Sequence, residues 1–163
     1  MAKNKEEKTN VMRVLEQKKI AYTAHTYPHE EGMAVDGVTV AKSMGFDPAI
    51  VFKTLVARGA SKQYYVFDVP VAENLDLKKA AKAVGEKSIE MIHQKELLPL
   101  TGYVHGGYSP VGMKKLFPTV FHSSAENLAA MIVSAGKIGY QVELAPHALA
   151  ALVRAKFADI IVE

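Results

Sequence analysis

The stretch from Ile50 to Pro70, IVFKTLVARGASKQYYVFDVP, commits the middle of the chain to a sheet. Two runs rich in β-branched and aromatic residues flank Gly-Ala-Ser-Lys, which is the pattern of a β-hairpin. Successive side chains of a strand point to opposite faces. Val51, Lys53, Leu55 and Ala57 therefore share one face, and Phe52, Thr54, Val56 and Arg58 the other. Whichever face turns inward, Lys53 keeps apolar neighbours. If its face packs inward, the ammonium is paired, lines a cavity, or has its pKa lowered by desolvation. On an edge strand it would instead snorkel to water.

The flanking sequence adds short elements of both kinds. Val11, Val14, Leu15 and Lys18 fall at helical spacing over residues 8–18, with Thr9 or Asn10 available as a cap. AYTAHTYPH reads as a strand stopped by Pro28, and a short helix is expected after it between Asp36 and Gly45. Beyond the hairpin, DLKKAAKAVG has a capping Asp76, good helix formers and a stopping Gly85. SIEMI and TGYVHG read as strands joined through HQKELLPL, and PTVFH, AMIVSAG and GYQVELA as further strands. Pro146 opens a helix and ADIIVE closes the chain as a strand. Strict βαβ alternation and internal repeats are absent. The expectation is one α+β domain over residues 1–163, with a compact mixed-sheet, barrel-like core and surrounding helices.

With 49% apolar and 23% charged residues, the composition is that of a globular protein. A net charge of +3 allows a polyanionic partner without requiring one. There is no cysteine, which excludes a disulfide scaffold, a thiolate metal site and a cysteine nucleophile. The start, MAKNKEEKTN, lacks the apolar centre of a signal peptide, and no run approaches the ~20 apolar residues of a membrane span. A cytoplasmic protein that does not enter a membrane is expected. His25 and His29 are four apart, but Pro28 and β-rich flanks argue against the helix that would make this a metal-ligand spacing. The other histidines are scattered, so no metal is expected, and nothing calls for a cofactor.

The chemistry points to VHGGYSPVGMKKLFP, residues 104–118. Gly107 and Gly112 have the separation of a P-loop, but Met113 stands at the lysine position and no hydroxyl follows for magnesium. A nucleotide-hydrolysing P-loop is excluded on those two counts. Gly106 and Gly107 still permit positive φ and close backbone approach to a ligand. Ser109 and Pro110 suit the cap and first position of a helix from Val111 to Leu116, whose free N–H groups would attract an anion. The competing reading is a tight turn into a capped helix with two solvated lysines.

VFKTLV (51–56), VAENLDLKKAAKAVG (71–85), GGYSPVGMKK (106–115), SAGKIGYQVELAP (134–146) and AKFAD (155–159) together resemble the YbaK/EbsC family of aminoacyl-tRNA deacylases. Within it, the chain is more similar to the free-standing cysteinyl-tRNA(Pro) deacylases than to the domain inserted in bacterial prolyl-tRNA synthetases. The resemblance implies a substrate, tRNA(Pro) wrongly charged with cysteine, bound through its acceptor end. It also implies a mechanism in which the substrate's own thiol attacks the ester carbonyl. Lys53 would be the key lysine, positioning the aminoacyl end. The loop from Gly106 to Gly112, through Gly107, Ser109 and Pro110, would supply backbone N–H groups near the ester. Ser109 could instead serve only as the helix cap. Tyr22 would stack on the terminal adenine, or else pack in the core. Gln141 stands where some relatives carry an aspartate that holds the substrate amine; it can accept a hydrogen bond but brings no charge. Glu143, two residues on, would share its strand face. Lysines 78, 79, 82, 87, 114 and 115 would form a rim for the acceptor stem, or lie on solvated helix faces. Prolyl-tRNA synthetase is the partner that this reading names.

Overall fold

The computed structural model describes residues 8–30 and 33–163. The first seven residues, read above for a leader segment, and Glu31 and Gly32 of the expected loop lie outside the described residues. The elements run in the order α1 (Asn10–Gln17), β1 (Thr23–Thr26), α2 (Gly37–Ser43), β2 (Phe52–Gly59), β3 (Tyr64–Pro70), α3 (Leu77–Val84) and β4 (Ile89–Met91). They continue with α4 (Gln94–Thr101), β5 (Thr119–His122), β6 (Met131–Ser134), β7 (Tyr140–Leu144), α5 (Pro146–Val153) and β8 (Ala155–Ala158).

Local chemistry sets the helix starts. The side chains of Thr9, Asp36 and Asp76 each accept a backbone N–H of the first turn that follows, satisfying donors that have no partner within the helix. Gly85 ends α3 in the left-handed region at φ +75°.

β2 lies at the centre of the architecture. It pairs antiparallel with β3 on one side and with β4 on the other, while β5 and β8 add in parallel beyond β3. The expected mixed sheet is therefore five-stranded, in the order β4-β2-β3-β5-β8. A second, antiparallel sheet has the order β1-β7-β6. A parallel bridge between Val51 and Ile132 joins the two where β2 begins, and there the barrel-like core turns its corner. Val11 and Leu15 of α1 pack with Val133, Val142, Phe121 and Leu149 in the larger core cluster. Ala80 and Ala81 let α3 sit close on Phe67 and Val69. No helix among the described residues is long and apolar enough to cross a membrane.

Three expectations shift. HQKELLPL folds as α4 through Pro99, and TGYVHG, read as a strand, starts with that helix's last residue and continues as loop. Leu97 and Leu100 pack against Val56, Val66 and Phe117, so tertiary contact outweighs the proline penalty. The last strand is AKFA rather than ADIIVE, and Ile161 makes only an isolated bridge with Leu75. Residues 111–116 form no helix: Ser109 is fully buried and its Oγ accepts the Val111 N–H at 3.3 Å in a local turn. The helix N-terminus expected to face an anion is therefore absent from this loop.

Candidate functional site

A cavity of about 500 Å³ opens beside β2, within the range that holds a drug-sized ligand. One wall is β2 itself from Phe52 to Val56, and a second is the Ala34–Gly37 segment leading into α2. Toward the Val51 end stand Ser134 and Gln141 of the three-stranded sheet; toward the Val56 end stand Ile92 and Leu97. Gly106, His105 and Tyr108 complete the lining.

Lys53 lines this cavity half-buried and takes part in none of the ion pairs among the described residues. Burial holds its pKa below the ordinary lysine value, and the charges of Asp36 and Glu73 oppose that shift. The cation is thus partly desolvated and free to meet a ligand oxygen. Gln141 is 7% exposed, and its Oε1 has no hydrogen-bond partner among the described residues. A buried amide oxygen without a partner costs free energy, and Gln141 is one of the residues that line the cavity. Across the β6–β7 ladder, directly opposite Gln141, lies Ser134, whose Oγ accepts the Gly136 N–H at 3.1 Å and retains its own proton to donate. Glu143 is engaged elsewhere, 2.7 Å from His25 Nε2.

The glycine loop serves the site through packing. Gly106 lines the cavity at φ +92°, and a Cβ there would lie 2.8 Å from the Ala34 Cβ. A Cβ on Gly107 would stand 3.3 Å from the Lys137 backbone, so that glycine lets the loop rest on the β6–β7 turn. Pro110 and Gly112 face away, onto a separate cavity of about 150 Å³. Tyr103 anchors the loop from beneath: its hydroxyl donates to the Val111 carbonyl, and burial pushes its pKa up to about 12.

Of the residues singled out in the sequence, the fold gathers Lys53, Gly106 and Gln141 around one cavity. Gly107, Ser109, Pro110 and Gly112 shape the loop beside it. Tyr22 lines neither cavity; its hydroxyl donates to Glu16 at 2.6 Å and its ring packs on the α1 core. Tyr27, Asp36, Tyr108 and Ser134 are among the lining residues that the sequence reading did not assign to the site. In the proposed lysine rim, Lys79 is committed to Asp159, Glu163 and the Ile161 carbonyl. Among the described residues no three His, Asp or Glu side chains are grouped to hold a metal. No hydrogen bond joins a serine to a histidine among them either, so a Ser–His nucleophile–base pair is absent from the described residues of the cavity.

A half-dry lysine and an orphan amide oxygen thus stand at a corner between the two sheets. In the sequence comparison, residues 29–152 match the aminoacyl-tRNA editing domain, and the chain belongs to that family. It is 46% identical over 161 residues, 98% of each chain, to EbsC of Enterococcus faecalis, a candidate Cys-tRNA(Pro)/Cys-tRNA(Cys) deacylase. Two solved structures share the fold. One, a candidate trans-editing enzyme for prolyl-tRNA synthetase, superposes with a TM-score of 0.78 at 24% identity, over 94% of this chain and 95% of that one. The other, the hypothetical protein APE2540, has a TM-score of 0.82 at 18% identity, over 93% and 99%.

Proposed function

We propose that this protein deacylates cysteinyl-tRNA, clearing tRNA(Pro) that prolyl-tRNA synthetase has mischarged. The observation that supports this is a pocket whose cation and amide acceptor are unpaired, and which holds no Ser–His pair, among the described residues. Such a pocket suits a substrate that carries its nucleophile. The cysteinyl sulfur forms a bond to its own ester carbonyl, the bond from that carbon to the ribose oxygen breaks, and the thiol proton ends on the ribose hydroxyl. The cyclic thioester released is then opened by water. Lys53 steadies the oxygen that gains charge, most strongly because water is partly excluded. Gln141 Oε1 accepts from the substrate ammonium, and Gly106 brings backbone close to the aminoacyl end.

The test is hydrolysis of cysteinyl-, alanyl- and prolyl-tRNA(Pro) by the purified protein and by Lys53→Ala. Loss of the cysteinyl ester alone is expected, with the variant slower by about 100-fold or more, as for removal of one charge-stabilising donor. Preference for the alanyl ester would overturn the thiol route. Binding of tRNA without turnover would make this a binding protein.

A further inference from the structure

The cavity wall formed by β2 is an unpaired sheet edge. The Val71 N–H bonds to the Val51 carbonyl, and the Gly59 N–H to the Gln63 carbonyl. Hydrogen-bonded pairs alternate in an antiparallel ladder, so the odd-numbered residues of β2 bond to β3. The even-numbered ones turn their N–H and C=O to the opposite edge. On that edge β4 pairs only with Ala57–Gly59, and β6 runs nearby but bridges only to Val51, just before the strand. The Thr54 carbonyl and the Val56 N–H therefore face the cavity with no partner strand among the described residues. The Thr54 hydroxyl is turned to Asp68 at 2.5 Å, so Thr54 offers the cavity its backbone. Buried backbone groups are almost always bonded, and with no partner strand among the described residues these two are available to a ligand or to water.

We infer that this edge reads the 3′-terminal adenine of the tRNA, with N6–H donating to the Thr54 carbonyl and N1 accepting from the Val56 N–H. This rests on the deacylase reading above. An acceptor and a donor two residues apart on one edge match the donor–acceptor pair on the Watson–Crick edge of adenine. Guanine presents the reverse pair there and is refused. Ile92 and Leu97, packed beside Val56, give the flat base an apolar slot. The polar end of the cavity, with Lys53 and Gln141, is left for the ribose ester and amino acid, and the cavity has room for both.

The amide spectrum of the ¹⁵N-labelled protein tests this with AMP, N6,N6-dimethyl-AMP, GMP, and uncharged tRNA with and without its terminal adenosine. Expected are shifts of the Val56 amide with AMP and with intact tRNA. Binding should be weaker by about tenfold or more for the dimethyl nucleotide and GMP, as for a lost hydrogen bond. tRNA lacking the terminal adenosine should leave Val56 unmoved. Equal binding of all three nucleotides, or a Val56 amide that ignores them, overturns the inference. So does a response to AMP without one to intact tRNA, which would mark a free-nucleotide site. Cysteinyl-tRNA hydrolysis indifferent to dimethylation of the terminal base would sink the edge reading and leave the deacylase reading standing. A selective Val56 response in a protein that hydrolyses no cysteinyl-tRNA would do the converse.

Discussion

Asp68 sits on β3 directly opposite Thr54 of β2, fully buried, with Oδ1 accepting the Thr54 hydroxyl at 2.5 Å and Oδ2 without a partner among the described residues. Burial pushes its pKa from 3.8 up to about 7, against the pull of the Thr54 hydrogen bond. Between those two values the folded chain keeps a proton that the unfolded chain has shed. The folded state binds more protons there, so stability is highest below the unfolded value and is lost as pH rises through about 7. A tenfold change in proton affinity is worth about 1.4 kcal/mol, so the rise from 3.8 to about 7 caps the loss at about 4 kcal/mol. Asp68→Asn keeps the shape and the acceptor for Thr54 but cannot ionise. Urea denaturation of both proteins across the range isolates the effect, because every other titrating group cancels between them. The stability of the variant relative to wild type is expected to rise by about 2–3 kcal/mol from pH 5 to pH 8 and then level off. The constant offset of the substitution drops out of that difference. Parallel stability curves for the two proteins would refute the reasoning, since they would mean that the buried carboxyl carries the same charge at both ends of the range.

Three other perturbations separate the roles assigned to the cavity. Because burial lowers the Lys53 pKa, deacylation that needs its positive charge should fall on the alkaline side at a pH below the ordinary lysine value of 10.5, as read from kcat/KM against pH. Gln141→Leu removes the unpaired acceptor and should raise KM about tenfold for the cysteinyl ester while stabilising the fold, because a buried orphan is gone. An unchanged KM would take the amine away from Gln141. Gly106→Ala must place a Cβ 2.8 Å from that of Ala34 at φ +92°, and thermal unfolding should show a loss of about 1–3 kcal/mol together with reduced turnover.

Local signals in this sequence were strong wherever one residue decides one bond. Thr9, Asp36 and Asp76 cap the helices they were read to cap, and the hairpin pairs Phe52 with Pro70 through Arg58 with Tyr64. Signals that depend on distant partners were not legible. Ser-Pro after two glycines reads as a helix start, but Ser109 is buried and its loop is tied down by Tyr103, so the chain turns instead. HQKELLPL reads as a connection between strands, but its apolar side chains find Val66 and Phe117 across the sheet and it folds as α4. Tyr22 and Tyr27 look equivalent along a β-rich stretch. Only the fold sends the first to Glu16 and the second to the cavity.

The same distinction governs the candidate site. Lys53 was visible because a lysine inside an apolar strand is unusual, although the sequence left open whether it lines a cavity or snorkels to water. The Thr54 carbonyl and Val56 N–H could not be visible, because every residue but proline has an N–H and every residue a carbonyl. What makes these two distinctive is that β4 stops at Ala57 and the β6 ladder bridges only to Val51, a fact of pairing between segments far apart in the chain. Side chains in this pocket supply charge and an amide oxygen, and the ladder that ends early supplies a donor and an acceptor at fixed spacing. A substitution that lengthened the β4 pairing by two residues would cover that edge and close the pocket while leaving Lys53 and Gln141 in place. For that reason the presence of the lysine and the glycine loop in a sequence does not by itself establish an open site.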